Sequence, residues 1–311
     1  MGKSRHFGIL SITLVLISWA LIFTKGFNYG IDFAGGTLIQ IKYEQKAPIE
    51  KIRDDLSKSE AFAGANVTFF GSDSEVVIRT KSSSGSVGKD IGDEVRELLK
   101  NTGTFEVRRV DMVGPKIGGE LKEKGLMSML LAIVGILLYV SFRFEWRFAL
   151  ASVAALVHDV SIATGAIILV GVEVNLDTLA AVLTILGYSL NDTIIVFDRI
   201  REGISTIKEP NLSAIINESV TRTLSRTVLT SLTTFFVVLT LYLFGGEIIN
   251  GFSFTLLIGI IVGTYSSIFI ASPILMWLGF DVKGYRARQA EKLRREKEKE
   301  KMRAMYEQGT L

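Results

Sequence analysis

The sequence predicts a polytopic α-helical membrane protein with six transmembrane helices and one external α+β domain inserted between the first and second. Three observations predict it. Six long runs carry almost no charge, in a chain that is 48% apolar and 22% charged. The block 25–125, by contrast, is as polar as a soluble domain, with 16 basic and 16 acidic residues between 25 and 124. Finally, Lys and Arg outside that block fall on one side of the six runs only.

Taken in order, residues 1–6 form a short basic N-terminus, and 7–24 (FGILSITLVLISWALIFT) hold no charge in 18 positions. That is close to the ~20 residues that span a hydrocarbon core. Lys3 and Arg5 would also suit a signal peptide, but the run is longer than a usual h-region and no A-x-A site follows it, so an uncleaved anchor is expected.

In the inserted block, Thr37–Glu44 alternates as a strand, and Pro48 opens a helix with Ile49, Ile52 and Leu56 on one stripe. Two strands, Asn66–Phe70 and Glu75–Thr80, are joined through the turn composition Gly71–Ser–Asp–Ser. The Ser/Gly run 82–88 reads as a linker. A helix with Ile91, Val95, Leu98 and Leu99 on its stripe follows, and Phe105–Met112 closes as a strand. The order βαββαβ is that of a ferredoxin-like split βαβ unit.

Five further apolar runs follow, at 126–142, 148–170, 176–197, 227–244 and 252–278, and then a basic tail, 281–311. From Val282 onward the tail holds ten Lys/Arg against five Glu at helical spacing. A solvated helix is expected there, with anionic lipid or a ribosome as alternative contacts. The side with the N-terminus, 143–147, 199–226 and the tail carries 19 Lys/Arg, whereas GVEVN (171–175) and GGEIING (245–251) carry none. Both termini are therefore expected in the cytoplasm and the inserted domain outside.

An Asp inside an apolar run needs a reason, because an ionised carboxylate there costs several kcal/mol. Asp192 lies in such a run, about 9 Å inward from Asp198 at 1.5 Å per residue. Thr184, Tyr188, Asn191 and Asp192 fall on one helical face. A carboxylate so placed can gain and lose protons, and intramembrane ionisable groups usually mark ion pathways. The alternative is an Asp that only hydrogen-bonds between helices. The next run opens with Arg226, Thr230, Thr233 and Thr234 on one face, suited to a polar cleft opposite Asp192; Arg226 reads equally well as a snorkelling anchor. His158–Asp159, about 17 Å in from Arg147, suits a proton relay or a structural polar contact. Gly259-x-x-x-Gly263, followed by Ser266–Ser267, offers a close-packing helix face.

The chain has no Cys and no G-x-x-x-x-G-K-[ST], H-E-x-x-H or G-x-S-x-G. The expectation is a non-enzyme that holds no cofactor or metal and binds no nucleic acid.

Several blocks together resemble signatures of the SecF family of bacterial protein-export membrane proteins. They are Gly30–Ile–Asp–Phe–Ala–Gly–Gly–Thr, Val113–Gly–Pro, Phe142–Arg–Phe–Glu–Trp–Arg, His158–Asp159, the run Gly187–Glu202 (GYSLNDTIIVFDRIRE) and Ser225–Arg–Thr–Val–Leu–Thr–Ser. The resemblance runs from residue 7 to about 280. It implies half of an RND-type (resistance–nodulation–division) transporter in the bacterial inner membrane. It also implies SecD as partner, often with YajC, acting beside the SecYEG channel. Protons would be the energy source and a preprotein the cargo. By position it implies Asp192, Arg226 and Thr230 as the proton pathway; from their own placement, Asn191 joins them and His158 and Asp159 are secondary candidates. A half-transporter for lipid or drug, or a passive membrane scaffold, are the alternatives.

Overall fold

The structure, a computed structural model, describes residues 4–81 and 91–307; the linker expected at 82–88 lies outside the described residues. Six helices are long and apolar enough to cross a membrane: Arg5–Thr24, Pro115–Arg143, Trp146–Val170, Leu176–Thr206, Leu212–Phe244 and Glu247–Trp277. In chain order the elements are α1 (Ser4–Thr24), α2 (Ile31–Ala34), β1 (Gly36–Tyr43), α3 (Ile49–Ser57), β2 (Asn66–Phe70), β3 (Ser72–Thr80), α4 (Ile91–Leu98) and β4 (Phe105–Val113). Then come α5 (Pro115–Arg143), α6 (Trp146–Val170), α7 (Leu176–Thr206), α8 (Leu212–Phe244), α9 (Glu247–Ser266), α10 (Ser272–Trp277) and α11 (Val282–Glu307).

The inserted domain has the expected βαββαβ order and one antiparallel sheet, β2-β3-β1-β4. Alternation along β1 sends Ile39, Ile41 and Tyr43 to one face, where Ile52 and Leu56 of α3, Val95 of α4 and Leu99 cover them. The β2–β3 turn is tighter than expected. Gly71 alone separates the strands and adopts φ 70°, a left-handed conformation that favours glycine. The opposite sheet face looks toward the helical bundle across a cleft of about 760 Å³. Arg79 of β3 bridges to Glu173 of the α6–α7 loop at 2.7 Å.

The segment before β1 is bound to both parts. Gly30 N–H donates to Val174 O at 3.0 Å, Val174 N–H to Asn28 O at 2.8 Å, and Leu176 N–H at the start of α7 to the Asp32 carboxylate at 2.9 Å. Gly35 and Gly36 hold φ 74° and 129°. A Cβ on Gly35 would lie 2.8 Å from Pro115 Cα, and one on Gly36 would overlap Thr80 O. Gly118 is equally tight, with Phe33 O at 3.2 Å from its would-be Cβ. The glycines thus let the entry to β1 press onto the start of α5.

Three helices outrun their apolar segments. The segment 199–226, expected as a loop, is mostly a helical hairpin: α7 continues to Thr206 and α8 starts at Leu212. A cluster of Phe197, Ile200, Ile204, Ile215, Ile216, Phe280 and Tyr285 holds it. Arg286 of α11 donates to Ile204 O at 2.7 Å and to Glu209 O at 2.9 Å, so the tail helix closes the end of α7. α5 likewise begins eleven residues before its apolar run, at Pro115, a residue favoured at a helix's first position.

Candidate functional site

α7, α6, α8 and α9 enclose a polar interior. Asp192 is 1% exposed, and its Oδ2 accepts a hydrogen bond from Ser231 Oγ of α8 at 3.1 Å. Ser231 in turn accepts from Thr264 Oγ1 of α9 at 2.7 Å. Asp159 of α6 is fully buried and takes three contacts: Ser189 Oγ of α7 at 2.5 Å, Ser266 Oγ of α9 at 2.7 Å, and His158 Nδ1 at 2.8 Å. The His158 ring stacks on Tyr265, whose hydroxyl donates to Phe7 O of α1 at 2.8 Å.

One short stretch of α9, Thr264–Ser266, therefore serves both carboxylates: Ser266 bonds Asp159 directly, and Thr264 reaches Asp192 through Ser231. Directly beyond it the helix widens into a π turn, Ser267–Ala271. Pro273 has no N–H for the preceding turn and forces the irregularity. Ser272 Oγ compensates by donating to Ser267 O at 3.1 Å.

Other sequence expectations divide here. Arg226 and Thr230 are exposed on the outer face of α8, and Arg226 makes no ion pair among the described residues. The expected contact between Arg226 and Asp192 is therefore absent. Thr230 Oγ1 is turned back onto Arg226 O at 3.0 Å. Asn191 is exposed as well, on a face with Thr184 and Tyr188, and Tyr188 Oη donates to Thr230 O at 3.3 Å. The cause is helical phase. Eight residues advance a helix by about 80° beyond whole turns, which carries Asp192 off the Thr184 stripe and into the bundle. On α8 the interior stripe is Thr223, Thr227 and Ser231, not the Arg226–Thr230 stripe. That i, i+4, i+8 pattern was present in the sequence and was masked by the neighbouring hydroxyls. Gly259 and Gly263 are used inside the chain, packing α9 on Ile185 and Ser189 of α7.

The profile described as "Protein export membrane protein SecD/SecF, C-terminal" matches residues 94–281, and the "SecD/SecF GG Motif" profile matches 20–47. The protein translocase subunit SecF of Helicobacter pylori strain J99 is 51% identical over 311 residues, covering all of this chain and 96% of that protein. The chain belongs to the SecF family of protein export membrane proteins. The SecF of Escherichia coli O157:H7 is 41% identical over 88% of this chain and 85% of its own. Among solved structures, SecDF from Thermus thermophilus, a translocon-associated membrane protein, superposes with a TM-score of 0.81 at 37% identity. That match covers 90% of this chain but only 38% of the SecDF chain. A SecDF in a super-membrane-facing form gives 0.66 at 36% identity, over 95% and 40%. The GG motif of the SecF family contains the glycine turn at 35–36, and the C-terminal profile spans both buried carboxylates. The fold is that of the RND-like SecDF, in one multi-pass half.

Proposed function

We propose that this chain is the SecF subunit of the Sec translocase accessory complex. With SecD it uses the proton motive force to promote preprotein translocation through SecYEG on the periplasmic side, in a complex that can include YajC. It acts as a transport subunit rather than an enzyme. It lies in the bacterial inner membrane with both termini cytoplasmic, as the distribution of Lys and Arg supports.

The observation that carries the reading is Asp192: a carboxylate buried inside a membrane helix, with one hydroxyl donor and no cation partner among the described residues. An anchor or scaffold gains nothing from such a group, while a proton carrier requires one. The exposed residues Thr184, Asn191, Arg226, Thr230 and Thr233, with half-buried Tyr188 among them, form a polar stripe that supports the partner. Polar groups at that depth are poorly matched to lipid, and the SecDF chain has room for a second half beyond the 38% matched. SecD covers this stripe. Arg226, Thr230 and Asn191 line the seam through which protons reach Asp192, and His158 and Asp159 are a secondary station.

Asp192→Asn tests the assignment, since it keeps size and hydrogen bonding but cannot ionise. The variant is expected to fold, to copurify with SecD, and to lose the proton-driven stage of export. Export at the parental rate would make Asp192 a structural contact.

A further inference from the structure

The bonds around Asp192 have a direction, and that direction is set by its protonation. Asp192 Oδ2 is 3.1 Å from Ser231 Oγ, Ser231 Oγ is 2.7 Å from Thr264 Oγ1, and Thr264 Oγ1 is also 2.7 Å from Ile260 O of its own helix. Each hydroxyl has one proton to give. We propose that Ser231 and Thr264 are positioning residues in a reversible hydrogen-bond relay that reports the protonation of Asp192 to the backbone of α9.

An ionised carboxylate only accepts, so Ser231 must donate to it, and the Ser231 oxygen then accepts from Thr264. The chain runs Thr264 to Ser231 to Asp192. When Asp192 gains a proton from the aqueous side, its new O–H donates to Ser231. The Ser231 proton rotates to Thr264, and the Thr264 proton rotates to Ile260 O. Only the O–H bond at Asp192 forms or breaks, and every proton has an acceptor in both states. Back-bonding of a Thr to its i−4 carbonyl bends a helix. The bend would fall between Ile260 and Thr264, just ahead of the π turn at Ser267–Ala271. A carboxylate on α7 thereby alters the shape of α9.

The other titratable or charged groups that the packed helices carry among these contacts are His158 and Asp159 of α6, Tyr188 of α7, Arg226 of α8 and Tyr265 of α9. None is hydrogen-bonded to Asp192. The relay rests on Asp192 being the proton acceptor, and the test separates the two claims. In membrane vesicles holding the full chain with its partner, the infrared carboxyl band that disappears in Asp192→Asn is followed against pH. Ser231→Ala should move its midpoint by about one pH unit, and Thr264→Val by about half a unit, as expected for losing a direct and an indirect hydrogen bond to a charged group. Thr264→Ser should restore the parental midpoint, and the pH profile of export should follow in each case. An unchanged midpoint in both Ser231→Ala and Thr264→Val overturns the relay while leaving Asp192 a proton carrier. Absence of any titrating Asp192 band in the parent overturns both. If Thr264→Val fails to assemble, the Ser231→Ala midpoint decides alone.

Discussion

Asp192 and Arg226 were expected to meet, and the fold keeps them apart: one is buried against α8 and α9, the other lies on the outer face of α8. Their variants should therefore fail differently. Asp192→Asn should leave SecD copurification intact and abolish proton-driven export. The bias it removes is about fiftyfold, since one proton crossing 100 mV contributes ~2.3 kcal/mol. Arg226→Ala should weaken copurification with SecD and lower export with it; full pairing with export at the parental rate would remove Arg226 from the seam. The need for Asp192 could be read from sequence, because a carboxylate in an apolar run stands out. Its partner could not. TVLTSLTT offers several hydroxyls within two turns, and which of them faces α7 depends on the rotation of α8, fixed by packing far along the chain.

Among the elements, the strands and apolar spans were legible because alternation and long uncharged runs are local signals. The helical extensions were not. Residues 199–206 and 212–226 are polar enough to read as loop, and become helix because Phe197, Ile200 and Ile204 pack on Ile215, Ile216, Phe280 and Tyr285. The π turn was equally hidden, although Pro273 is its visible cause. The glycine turn makes a sharp prediction. Gly36→Ala puts a Cβ against Thr80 O at φ 129°, a strain of about 1–3 kcal/mol. A lower melting temperature for the full chain in detergent is the expected result. Tyr43 gives a second prediction. Burial holds its phenol above the ordinary value, its bond with Thr102 opposes this, and nearby Asp55 reinforces it. The folded domain therefore holds this proton more tightly than the unfolded chain. That stabilisation is complete below the unfolded pKa of about 10 and is lost as pH rises above it. Tyr43→Phe should flatten the loss seen in alkaline denaturation.

Across the whole molecule, the inserted domain owns a complete core on one sheet face and meets the bundle chiefly through polar contacts. Residues 36–113 expressed alone should show mixed helix and strand by circular dichroism; a random coil would contradict the separate core. The Arg79–Glu173 pair is partly exposed on both sides, so Arg79→Ala should cost at most about 1 kcal/mol. It should nonetheless widen the spin-label distance distribution between the domain and the α6–α7 loop.

The junction at Gly114–Pro115 has a mechanical consequence. β4 ends at Val113 and α5 begins at Pro115, with a single residue between sheet and helix and the glycine turn clamping both. Such a joint transmits torque. α5 has 29 residues, about 43 Å of rod at 1.5 Å per residue, so a tilt of about 10° imposed by the sheet swings its far end by about 7.5 Å. A small rocking of the domain at one end of this lever arm becomes a large displacement beside Arg143 at the other, and a push on that far end is returned to the sheet with mechanical advantage.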